Sequence, residues 1–164
     1  MSFNELTENK HTNNILNEVL QGCDDGELYL ENLVNESFLF DDNVLKNSSF
    51  NKSEGFGLRA INDELIGYSH SNNIDIRSLK NAADIVSSVK KGYSGTYALD
   101  PSKTNKKLYT DQNPIDSIEY KRKIKLLKDI NEYARKIDNR TRQVSISLSG
   151  SYQKINILRP MGNI

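Results

Sequence analysis

The chain has 164 residues, enough for one ordinary domain or one domain with a helical appendage, and its 36% hydrophobic content supports only a modest core. Its 22 basic and 22 acidic residues cancel to a formal net charge of zero, so no global field steers it to nucleic acid or to an anionic membrane. The lone cysteine, Cys23, excludes an internal disulfide and fits a reducing compartment. Met1 to Lys10 lacks the basic-then-apolar layout of a signal peptide, and no run is apolar enough to span a bilayer. A cytoplasmic location is expected.

In chain order, Ile15, Leu16, Val19 and Leu20 recur at helical spacing over Asn13 to Gln21, with Gly22 as the stop. Glu27 to Glu31 alternates in strand fashion, as does Ser37 to Phe40. Asp41-Asp42-Asn43 supplies a turn into a partner strand from Val44 to Phe50. Gly55 to Ile61 is a further strand with Phe56, Leu58 and Ala60 on one face, and Asn62-Asp63-Glu64 turns it into Leu65 to Ser69. Glycines at 55, 57 and 67 weaken those strands unless a ligand backbone or a crowded neighbour comes close there.

Asp75 is placed as the N-cap of a helix carrying Ile76, Leu79, Ala82 or Ala83, Val86 and Val89 on one face, with Gly92 at its end. Residues 93–115 are polar and read as an exposed connection. A second helix is expected from about Ser117 to Asp138, capped by an Asp116/Glu119 box, with Ile124, Leu127, Ile130, Ala134 and Ile137 on its apolar face. Lys121, Arg122, Lys123, Lys125 and Lys128 fall on its solvated face, and no interleaved aromatics make them a nucleic-acid patch. Gln143 to Ser149 alternates apolar residues with serines, Gly150-Ser151 turns it, and Tyr152 to Leu158 returns as its partner.

The fold class is therefore α+β (mixed α/β): an antiparallel meander of about four to five strands on amphipathic helices, plus an incomplete C-terminal strand pair. The organisation is 1–92 as an N-terminal α+β portion, 93–115 as connection, and 116–164 as a long helix with the strand pair.

No residue of the chain is assigned a catalytic, cofactor-binding or metal role. His11 and His70 are far apart, and neither belongs to a paired-histidine zinc helix. Cys23 sits at a helix stop and reads as a bystander thiol. No Gly-x-Ser-x-Gly elbow is present. Gly55-x-Gly57 lacks the third glycine and the strand-to-helix context of a nucleotide loop, and Asp41-Asp42-Asn43 lacks the spaced ligands of a calcium loop.

The order of the pieces is more specific than any one of them. Gly26-Glu27-Leu28-Tyr29-Leu30, Glu36 to Asp42, Gly55 to Ile61 and Gly67-Tyr68-Ser69 together resemble the amino-terminal domain of the TldD/PmbA metallopeptidase family, the so-called modulators of DNA gyrase. Asn113-Pro114-Ile115 ahead of a long helix, then Gln143 to Tyr152, is similar to the TldD branch of that family. The resemblance covers about Ile15 to Leu158. It implies a domain that guides an extended peptide along a sheet edge, and a TldE/PmbA-like subunit or a TldD-like homo-partner. It also implies zinc in full-length members, held by a His-Glu-x-x-x-His helix and a later Cys in a carboxy-terminal half whose motif this sequence lacks. The expectation is a truncated chain, inactive by itself. The alternative is a non-catalytic binding or regulatory module that joins a full-length TldD/TldE-like partner.

Overall fold

A computed structural model describes residues 3–90, 110 and 112–160. Helices α1 (Phe3–Glu8) and α2 (Lys10–Leu20) lead into strands β1 (Asp25–Asp41), β2 (Val44–Asn62) and β3 (Leu65–Ser71). Helix α3 (Ile76–Val86), a 3₁₀ turn (Ser87–Lys90), helix α4 (Tyr120–Ile137) and strand β4 (Ser145–Leu158) follow. The strands form one antiparallel sheet in the order β3-β2-β1-β4. The expected fold class stands, but its strands are longer and fewer. The stretches left between the expected strands, 32–36 and 51–54, continue as strand, so four short segments are two long ones. The Gly150-Ser151 turn does not form, and burial alternates without a break from Ser145 to Leu158. The connection expected over 93–115 lies outside the described residues except for 112–115 and residue 110, as does the helix end at Gly92.

Both hairpin turns have the backbone that their residues favour. Asp42 and Asn43 take φ of 45° and 67°, and Asp63 takes 53°. Asp and Asn adopt this left-handed region more readily than other side-chain-bearing residues, and such turns match the twist of the flanking strands. Gly22, with φ 79°, ends α2 as the sequence predicts. Asp75 caps α3, its side chain accepting from the Ser78 N–H at 2.7 Å. The Asp116/Glu119 box does not form: Asp116 accepts from the Asn113 amide, and Glu119, the N-cap of α4, makes no side-chain cap bond.

The chain divides into two compact units. The first comprises 1–32, 53–106 and 154–164. Leu28 and Leu30 of β1 with Phe56, Leu58 and Ala60 of β2 form one apolar face. Against it pack Leu16, Val19 and Leu20 of α2 and Leu79, Ala82, Ala83 and Val86 of α3. Leu6 of α1, fully buried, joins the same core from a helix of six residues, too short to show a period.

The second unit comprises 33–52 and 107–153. Its buried apolar cluster is small: Phe38, Phe40 and Leu127, flanked by Leu45, Ile124, Ile146 and Leu148. The buried positions of α4 are Lys123, Leu127 and Asn131; of the expected stripe Leu127 is buried and Ile124 and Ala134 are half-buried. Ile130 and Ile137 are 40% and 68% exposed. Polar contacts account for the two buried polar positions. Lys123 Nζ donates at 2.7 Å to both oxygens of Glu36 and at 2.8 Å to the Ile115 carbonyl, so all three ammonium donors are used. Asn131 donates to Asn43, and Arg135 pairs with Asp42. Lys123 is therefore not on the solvated face with its basic neighbours.

Candidate functional site

None of the residues with familiar chemistry converges. His11 is exposed on α2 and separate from Cys23, which is fully buried with its thiol directed to the Val19 carbonyl at 3.7 Å. Among the described residues no three of His, Cys, Asp and Glu stand where they could share a metal ion. The described residues do not fit a zinc site. Lys121, Arg122, Lys125 and Lys128 lie exposed along α4. In the second unit a cavity of about 400 Å³ is lined by Glu36, Phe38, Phe50, Ile115, Tyr120 and Lys123, but its ammonium and carboxylate are spent on each other.

The first unit offers a more open arrangement. Side chains alternate across a strand, so while Leu28, Leu30, Phe56 and Leu58 face the helices, Tyr29, Glu31, Gly55 and Gly57 face the other way. On β3 the register sets His70 opposite Gly57 and Tyr68 opposite Arg59, on that same outer face. A trough of about 260 Å³ opens there, with Tyr29 and Glu31 on one wall and Tyr68 and His70 on the other. Its floor is the backbone at Gly55 and Gly57, where β2 contributes no side chains.

The Tyr68 and His70 rings stack at 5.8 Å between centroids and 28° between planes. Tyr68 leans over Gly57 so closely that a Cβ there would lie 2.9 Å from its hydroxyl oxygen and 3.1 Å from Cε2. Gly57 is thus needed for close approach of this ring. Gly67 has a different job: a Cβ there would meet Val89 Cγ1 at 2.9 Å and the Val86 carbonyl at 3.0 Å, so it is crowded under α3 and the 3₁₀ turn. Of the three strand glycines read from the sequence, two floor the trough and one is packing. On the far wall, the Tyr29 hydroxyl donates to Glu31 Oε2 at 2.6 Å. The carboxylate as acceptor holds the Tyr29 phenol above its ordinary pKa, with burial and the Glu31 charge adding to the effect.

Tyr29, Glu31 and Tyr68 carried no signal as a site in the sequence. A period-two reading of the polar face of the strands, rather than the apolar one, is what brings them together with Gly55, Gly57 and His70. At the other end of that face Arg59 pairs with Glu27 at 2.8 Å and lies 3.6 Å from Asp25, which Arg159 also contacts.

Residues 26–103 match the family described as PmbA/TldA metallopeptidase domain 1. The chain is 32% identical over 143 residues to a "Metalloprotease TldD homolog" of Buchnera aphidicola subsp. Acyrthosiphon pisum, a match that covers 86% of this chain and 29% of that protein. The protein of the same description from Haemophilus influenzae is 30% identical over 148 residues, covering 88% and 30%. The chain therefore spans less than a third of the length of these curated relatives. Among solved structures, a putative modulator of DNA gyrase from Bacteroides thetaiotaomicron superposes with a TM-score of 0.62 at 18% identity, over 92% of this chain and 37% of that one. TldE from Thermococcus kodakarensis gives 0.51 at 15%, over 90% and 34%. At such identities the structural likeness shows the fold.

Proposed function

Because this chain belongs to the PmbA/TldD metallopeptidase family, in which residues 26–103 correspond to domain 1, we propose that it provides the amino-terminal, peptide-guiding and subunit-contact domain of a TldD-type zinc peptidase. The observation that carries the reading is β3. It is an end strand of the sheet, no described strand pairs with its other edge, and the trough opens on the outer face beside it. Alternate residues of an edge strand direct their N–H and C=O groups away from their partner, and an extended peptide can pair with them whatever its sequence.

In this reading the chain holds and orients a peptide, and the metal chemistry belongs to the catalytic half of full-length family members. Its own residues take no part in bond breaking. A TldE/PmbA-like subunit is the partner we propose, in a reducing cytoplasm where Cys23 remains a thiol. Residues 93–115 serve as a connection.

Amide hydrogen exchange tests the proposal. An unstructured peptide added to the chain should slow exchange at alternate amides of β3 and leave those of α3 unchanged. A bound peptide that protects none of the β3 amides overturns it.

A further inference from the structure

We infer that the trough between β1 and β3 is a subsite for one cationic side chain, lysine or arginine, of an extended peptide. The inference rests on the peptide-guiding reading for the peptide, but the affinity for a cation stands on the trough alone.

The charges along the outer face of β1 carry the argument. Asp25 and Glu27 each have an arginine within reach, Arg159 and Arg59 for the first and Arg59 for the second. Glu31 lies farther along the same face and has no such partner among the described residues. Its Oε2 accepts the Tyr29 hydroxyl, and its Oε1 accepts from no described residue. Beside it on β2 stand Gly55 and Gly57 in place of a long basic side chain. Among the described residues the ladder of paired charges lacks its last cation, and the trough opens beside Glu31.

The walls suit the same ligand. The aromatic side chains Tyr29, Tyr68 and His70 line the trough, and no described Lys or Arg does. A cation near aromatic faces gains attraction that a neutral group does not, and a carboxylate at the edge adds to it. An anionic side chain would be set against Glu31 and Glu54. An aliphatic one would cover Glu31 and leave it unpaired, which is costly.

The test uses the 164-residue chain, a short unstructured peptide with one arginine, and the same peptide with citrulline, its neutral isostere, in that place. The arginine peptide should bind about three- to tenfold more tightly, in line with a partly exposed cation–π and charge contact. Glu31→Gln should remove most of that preference, and Glu31→Lys should transfer it to a peptide with glutamate at the same position. Tyr68→Leu gives a second variant away from the carboxylate, expected to weaken the arginine peptide more than the citrulline one. Equal binding of the two peptides overturns the inference and leaves the β3 reading intact. If neither peptide binds, methylguanidinium alone decides. Shifts in the Tyr29 and Tyr68 ring resonances that vanish in Glu31→Gln support the subsite while the edge-strand reading falls, and an absence of shifts sinks both.

Discussion

The two units of this chain are held together in different ways. The first rests on a broad apolar core, in which five residues of β1 and β2 are matched by seven from α2 and α3. The second buries Phe38, Phe40 and Leu127 and relies on polar ties: Lys123 to Glu36 and Ile115, Asn131 to Asn43, Arg135 to Asp42. Apolar burial is additive and tolerant of detail, whereas a buried ion pair stabilises only while both members are present. The second unit should therefore be sensitive to changes of charge, and the first to changes of volume.

Lys123→Met is expected to have the largest effect. It leaves the Glu36 carboxylate, 12% exposed, without its cation, at a cost of about 3–5 kcal/mol. Adding Glu36→Leu should restore most of that loss, since an apolar pair of similar volume is often neutral or better. Denaturant titration followed by NMR would check both; a double variant as unstable as the single one would place the cost in lost packing. Leu58→Ala, at a fully buried position, should cost about 2–5 kcal/mol in the first unit. A loss well under that range would show that the apolar core can collapse around the gap.

The smallest effect concerns acid. The Ser78 backbone N–H, as donor, holds the Asp75 carboxyl below its ordinary pKa. A group depressed in the folded state contributes stability above its unfolded pKa, and that contribution fades as pH falls through the lower folded value. Asp75→Asn keeps the cap acceptor but cannot titrate. Its melting temperature should match the wild type closely near neutrality and fall less steeply on acidification. Parallel curves for the two proteins would remove the cap from the acid response.

The same contrast explains what could be read in advance. In the first unit α2, α3 and the buried face of β2 follow apolar periodicity, so Gly22, Asp75 and the Phe56–Leu58–Ala60 face were all legible. In the second, α4 buries Lys123 and Asn131 beside the expected Leu127, residues that a hydrophobic pattern assigns to solvent. Strand lengths failed for a related reason. Residues 32–36 and 51–54 break the alternation of the expected strands, yet paired neighbours hold them extended, as the Asn32–Glu54 bond at 3.0 Å shows. The trough was missed because its residues share the polar face, where composition shows no pattern unless positions are taken two at a time.

One further consequence belongs to β4. Its side chains keep strict alternation for 14 residues, so sliding the strand by two positions would return every side chain to the same face. Serines at 145, 147, 149 and 151 are interchangeable under such a slide. Contacts that do not repeat fix its registration, among them the Asp42 N–H on the Val144 carbonyl at 3.1 Å, Asn156 on Thr7 at 3.1 Å, and Lys154 on Asn4 at 2.7 Å. The face of this strand is written along its whole length, whereas its alignment is written in contacts that occur once.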